Sequence, residues 1–232
     1  MTVMKSFLNS KDVAWIKVGK GLLRLSPVLV ITFWLVFFGL ITHYFSNITL
    51  ESERRDNLFK QQPELSFLRT VDDHGHISSL SQLANDQHKV LIAEFIYTQC
   101  RALCLSLGNT FQQAQTQIIE RKLTQQLGLV SISFDIVNEN TKTLQAYRQR
   151  MYADPQVWSL LKMQNVQVLD AVKRKLGLMV IEDQQKDFVH NSAFLVISPQ
   201  GHLVGIFDPA EIGGAIELAL KTWQVKQKYT VN

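Results

Sequence analysis

Hydrophobic residues are distributed along the 232-residue chain in two ways. Between Leu25 and Leu50 there is no Asp, Glu, Lys or Arg, and 27-PVLVITFWLVFFGLITHYF-45 is almost wholly apolar or aromatic. From residue 63 onward, apolar residues come instead in short blocks and helical stripes separated by turn formers. The blocks 89-KVLIAEFIYT-98 and 129-LVSISFDIV-137 are near-continuous, as in strands buried on both faces. A third strand is expected at 156-QVWSLL-161. Leu103, Leu107, Phe111, Ala114, Ile118 and Leu127 mark the apolar face of a helix over 101–126, closed by Gly128. Further helices are expected over 140–151, with Asn or Thr at the cap, and over 165–177, closed by Gly.

Ahead of these elements, 63–71 reads as a lead-in strand, 72-DDHG-75 as a turn and 78–86 as a short helix capped by Ser. After them, 188–198 and 202–207 read as a hairpin across 199-PQG-201, and 209–226 as a terminal helix. Buried strands alternating with helices, then a hairpin, imply an α/β sandwich around a mostly parallel central sheet with a C-terminal hairpin. A strand, a Cys pair at a helix start, a βαβ unit, a hairpin and a helix form the thioredoxin-like layout.

The N-terminal run changes the picture of where this domain works. Nineteen residues at helical rise reach roughly 28 Å, about the hydrocarbon thickness of a bilayer. A buried core helix would keep a polar stripe, and a cleaved signal peptide would have a shorter apolar region and a small-residue cleavage site. Here the run ends in His43, Tyr44, Phe45, Ser46 and Asn47. The expectation is a transmembrane signal anchor over 27–46, after a cytoplasmic N-terminus over 1–26. Lys5, Lys11, Lys17, Lys20 and Arg24 precede the span, whereas 51-ESERRD-56 after it is mixed. The positive-inside rule then sets everything beyond the span outside the cytoplasm. Residues 47–62 read as a polar tether and 63–232 as one domain of ordinary size. The N-terminus lacks the Arg- and Ser-rich look of a transit peptide, which points to a single-pass protein of a bacterial inner membrane facing the periplasm. The formal net charge is +4, much of it in the N-terminal flank, so nucleic acid is not an expected partner.

The two cysteines, Cys100 and Cys104, sit together in 92-IAEFIYTQCRALCLSLGN-109, after a buried strand and at the start of a helix. Side chains four apart share a helix face. Unpaired N–H groups at a helix start, and Arg101 beside the pair, favour thiolates. Two chemistries follow. α-Carbons at i and i+4 stand about 6 Å apart, within disulfide range, so the pair can cycle between dithiol and disulfide. Two thiolates on one face can also hold a soft metal, copper(I) or zinc, with an imidazole completing the site. A disulfide closing so short a loop would be a poor staple. Among the six histidines, His43 lies in or beside the span, His74 and His76 flank a turn as a weak surface metal pair, and His88 and His202 are expected to be exposed. His190 opens an apolar strand in 187-DFVHNSAFLVI-197, where a loop can fold back over the helix start.

The stretches 97-YTQCRALC-104, 131-SISFD-135 and 189-VHNSAFLVISPQGHLV-204, with the lead-in 67-FLRTVDDHGHISSLSQL-83 and the N-terminal anchor, resemble the Sco/SenC family. These are membrane-anchored, thioredoxin-fold, copper-binding assembly proteins of cytochrome c oxidase. The resemblance covers most of 63–225. It implies copper, as Cu(I) or Cu(II), bound through Cys100, Cys104 and His190, with Asp135 hydrogen-bonding behind the ligands. It implies a metallochaperone for the copper centre of oxidase subunit II or a related copper protein, working with other copper chaperones or thiol reductants. The alternative is a thiol–disulfide oxidoreductase that reduces the cysteines of that target or of another exported protein, with Cys100 and Cys104 as the redox pair. Whether the chain is an enzyme depends on which of these holds. The family pattern Cys-Pro-x-x-Cys-Pro is broken here, with Arg101 and Leu105 at the proline positions, and its Asp-Pro is Asp135-Ile136. Absent prolines leave an extra N–H and a looser backbone at the helix start.

Overall fold

The structure, a computed structural model, describes residues 27–40, 50–99, 103–182 and 188–230. The chain divides into two compact units, Met1–Glu53 and Arg54–Asn232. In the first, helix α1 spans 27–40, its apolar side chains mostly exposed and Phe33, Trp34, Phe37 and Phe38 in mutual ring contact. Among the described residues no helix is long and apolar enough to cross a membrane. The expected span runs on to residue 46, and 41–46 lie outside the described residues.

Helix α2 (Leu50–Gln61) carries the chain into the second unit. The stretch expected as a tether is therefore mostly helical. Its Leu58 is buried in the core, and Arg54 donates to the Leu176 carbonyl. The chain continues through a 3-10 turn (Leu65–Phe67), β1 (Arg69–Asp72), β2 (Ile77–Ser79), α3 (Leu80–Gln87), β3 (Val90–Ile96) and α4 (Leu103–Glu120). Then come β4 (Leu127–Ser133), α5 (Thr141–Arg150), β5 (Trp158–Met163) and α6 (Val166–Leu176). The C-terminal part holds β6 (Val180–Glu182), β7 (Phe188–His190), β8 (Phe194–Ile197), β9 (Leu203–Phe207) and α7 (Ile212–Thr230).

Helix ends follow local chemistry. The side chains of Ser79, Asn140 and Asn165 each accept backbone N–H bonds at the starts of α3, α5 and α6. Gly177 ends α6 at φ +69°, a left-handed turn that glycine adopts without strain. Gly128 has a different role from the one expected. It lies inside β4, and α4 stops earlier, at Glu120.

The main sheet has the order β2-β1-β5-β4-β3-β8-β9. Only β3–β4 and β4–β5 pair in parallel, and the other neighbours are antiparallel. The sheet is thus mixed rather than mostly parallel, a parallel core with antiparallel strands added on both sides. β3 and β4 are buried along their whole length, as their apolar runs required. Helix α4 lays Phe111 against Trp158 of β5 and Phe194 of β8, at ring distances of 5.4 and 5.3 Å.

An ionisable group lies between the strands of this core. Glu94 of β3 is 1% exposed and stands beside Ser131 in the parallel ladder. The Ser131 hydroxyl donates to Glu94 Oε1 (2.6 Å) and accepts from Trp158 Nε1 (2.9 Å). Glu94 Oε2 is buried without a hydrogen-bond partner. Burial pushes this carboxyl up to about 8, against the opposing pull of the Ser131 bond. Between pH 4.5 and about 8 the unfolded chain has therefore released a proton that the folded chain keeps. Stability falls as pH rises through that window, by on the order of 5 kcal/mol for the full shift, and levels off above it. Urea unfolding of the full-length protein at pH 5 and pH 8 is expected to show this loss in the wild type and much less of it in Glu94→Gln. Equal pH dependence in the two proteins would refute the assignment.

Candidate metal centre

The ends of β3 and β4 are tied by a bond from Phe134 N to the Ile96 carbonyl (3.0 Å). Beyond this tie both strands leave the sheet. β3 continues as Tyr97, Thr98 and Gln99 toward Cys100, and β4 as Phe134 and Asp135. Residues 100–102 lie outside the described residues, Cys100 among them. Cys104 is placed as a position in the first turn of α4. One turn later Gly108 lets α4 approach α5, since a Cβ there would stand 2.8 Å from Met151 Sδ.

His190 arrives from the other end of the chain. The strand expected over 188–198 is two strands. β7 pairs with β6 in a separate two-stranded sheet, with His190 opposite Val180, and β8 begins only at Phe194. Asn191 makes the break. Its side chain donates to the Gly177 carbonyl (2.9 Å) and accepts from Met179 N (2.8 Å), which draws the chain toward the end of α6.

The His190 side chain is 6% exposed. Its Nδ1 lies 3.0 Å from the Asn191 carbonyl oxygen. A carbonyl only accepts, so Nδ1 carries the proton and Nε2 the lone pair. Burial lowers the pKa of the ring, opposed by that same backbone bond. A neutral imidazole with its tautomer fixed by a backbone carbonyl is the form a metal ligand takes. Four aromatic contacts connect it to the cysteine segment. Phe134 packs on the His190 ring (5.0 Å) and on Phe188 (5.7 Å). Tyr97, three residues before Cys100, packs on Phe188 (5.1 Å) and on Phe134 (5.7 Å).

Asp135, expected behind the ligands, is buried and turned toward its own loop. It accepts from Asn138 N (3.0 Å) and from Asn138 Nδ2 (3.0 and 3.2 Å). This is an Asx-type turn that shapes residues 135–138. That loop presents Glu139, which sequence reasoning missed. Glu139 is 3% exposed and accepts from Thr98 Oγ1 (2.6 Å) and Thr98 N (3.2 Å). An open, mostly apolar cavity of about 400 Å³ adjoins the loop, lined in part by Phe134, Val137, Leu169 and Phe188.

The other described histidines stand apart, and His43 lies outside the described residues. His74 and His76 stack on an exposed turn and face Asp73 and Asp72. His88 is the left-handed cap of α3, and His202 meets the Gln62 carbonyl. Among the described residues, which do not include Cys100, no group of three or more His, Cys, Asp or Glu is placed to hold a metal.

The element order, with a parallel β3–β4–β5 core, a helix leading on from β3 and antiparallel strands at the end, defines a thioredoxin-like domain. The SCO1/SenC family model matches residues 69–224, and the chain belongs to that family. No curated protein sequence matches it. Among solved structures, Arabidopsis thaliana ScoI with copper bound aligns at 16% identity and TM-score 0.56, over 66% of this chain and 96% of that one. BsSco, a Sco-family cytochrome c oxidase assembly protein with a disulfide switch, aligns at 18% identity and TM-score 0.56, over 68% and 91%. A SCO1/SenC family lipoprotein from Bacillus anthracis aligns at 21% identity and TM-score 0.54, over 61% and 82%. At these identities the likeness is one of fold.

The aromatic contacts carry a testable consequence. Phe134→Ala removes the ring between His190 and Tyr97 and is expected to cost about 3–5 kcal/mol of stability. Hydrogen exchange is expected to quicken at the amides of 188–190 more than at those of β3. A uniform change across the domain would show that Phe134 does not hold β7 in place.

Proposed function

We propose that this chain is a membrane-anchored copper metallochaperone of cytochrome c oxidase assembly, holding copper as cargo through Cys100, Cys104 and His190. The observation that carries the reading is His190. Its imidazole is buried, its Nδ1 proton is committed to the Asn191 carbonyl, and its strand packs on the segment that leads into the cysteines. Family membership and copper-bound relatives support the same reading.

In this reading the two thiolates supply soft sulfur ligands suited to Cu(I), and His190 Nε2 supplies the third. Three ligands leave the metal open to an incoming ligand, so transfer proceeds by ligand exchange with the acceptor. The acceptor is oxidase subunit II or a related copper protein. Residues 27–46 anchor the chain in the bacterial inner membrane, with the domain in the periplasm. That one family relative is a lipoprotein supports an exported site of action.

A second reading is kept by the disulfide switch of BsSco. Cys100 and Cys104 would give up two electrons and two protons to a disulfide in the target and close their own disulfide.

Metal analysis of the reduced full-length protein in detergent separates the two. The metallochaperone reading expects about one copper per chain, held by two sulfurs and one imidazole, and most of it lost in His190→Ala. Absence of copper from the reduced wild type, with electron transfer to a model disulfide that Cys100→Ser abolishes, would leave the oxidoreductase.

A further inference from the structure

Past Ile96 the chain leaves the sheet, so the backbone groups of the residues approaching Cys100 lose their ladder partners. Thr98 is 5% exposed, too buried for water to replace them. Side chains from two other elements do so. Glu139 takes the Thr98 N–H and hydroxyl, one on each carboxylate oxygen, and Arg150 at the end of α5 donates Nη2 to the Thr98 carbonyl at 2.6 Å. Glu139 is itself held at the backbone, by Glu139 N to the Asp135 carbonyl (3.2 Å) and by Lys162 Nζ to the Glu139 carbonyl (2.6 Å). Arg150 also lies 5.1 Å over the Tyr147 ring.

From this geometry we infer that Glu139, seconded by Arg150, is a positioning residue for the cysteine site, acting by fixing Thr98 in the segment that leads to Cys100. The inference rests on the proposed role of Cys100 and Cys104. It assigns to the 135–140 loop a task that no ligand performs. The sequence departs from the family pattern where proline would stiffen the helix start, at Arg101 and Leu105. The clamp acts upstream of both positions, two residues before Cys100. A carboxylate and a guanidinium on the two peptides that flank one residue oppose each other in charge, so their contribution is placement rather than field. Burying a carboxylate is costly unless its hydrogen bonds are strong, and bonds to a charged acceptor are worth about 1.5–3 kcal/mol. The clamp therefore holds only while the carboxylate keeps its two Thr98 donors.

The test compares full-length proteins in detergent by Cu(I) competition with a chromophoric chelator, and by the equilibrium of the Cys100–Cys104 pair with glutathione. Glu139→Ala is expected to weaken Cu(I) binding at least about tenfold. Thr98→Val, which removes one of the two bonds and is the milder change should Glu139→Ala fold poorly, is expected to weaken it about threefold. Thr98→Ser restores the hydroxyl and should match the wild type. Ser79→Ala, which removes the cap of α3 at a stability cost of about 1 kcal/mol, should leave both readouts unchanged. If the wild type holds no copper, the metallochaperone reading falls, and the clamp is judged on the glutathione equilibrium, where Glu139→Ala should move the constant by a similar factor. Wild-type values in both readouts for Glu139→Ala and Thr98→Val would overturn the inference, as would an equal loss in Ser79→Ala.

Discussion

A backbone that leaves the interior of a sheet must find partners for groups the ladder no longer serves. Most of what surrounds the cysteine segment answers that requirement. β3 is buried along its whole length, so the residues after it emerge in a dry place. Phe134 N takes the last strand carbonyl, Glu139 and Arg150 take both sides of Thr98, and the Tyr97 hydroxyl accepts from Phe188 N at 3.4 Å. Each partner comes from a different part of the chain. The cysteine approach is therefore held by β4, the loop after it, α5 and β7 together.

The parts of the fold written in local pattern were legible. Continuous apolar runs marked β3 and β4, and the serine before α3, Asn140 and Gly177 marked helix ends, because capping chemistry acts within one turn. Parts that depend on distant partners were not. Nothing near Gly128 distinguishes a helix stop from a glycine inside a strand. The low hydrophobicity of 50-LESERRDNLFKQ-61 hid a helix that one leucine, Leu58, docks into the core. The antiparallel edge β1–β5 joins strands far apart in sequence, which no periodicity reveals.

The site divides the same way. His190 stood out as a histidine opening an apolar strand, and the fold buries it. Its separation from β8 was hidden, because it depends on Asn191 reaching across to Gly177 and Met179. Asp135 was legible as an acid after a core strand, yet its carboxylate meets Asn138, and Glu139 faces the cysteine approach. A loop glutamate whose partner is 41 residues away leaves no mark in a single sequence. Glu94 sat in plain view within an apolar run, and its cost follows from being buried with one oxygen unserved.

The small β6–β7 ribbon has a further meaning. A lone pair of short strands is marginal by its own hydrogen bonds and borrows its order from what it leans against. The imidazole therefore rides on a ribbon that its own pairing supports weakly, while Thr98 follows a strand buried along its whole length. Opening of this ribbon alone would carry His190 away from the end of β3 while the main sheet keeps its pairings.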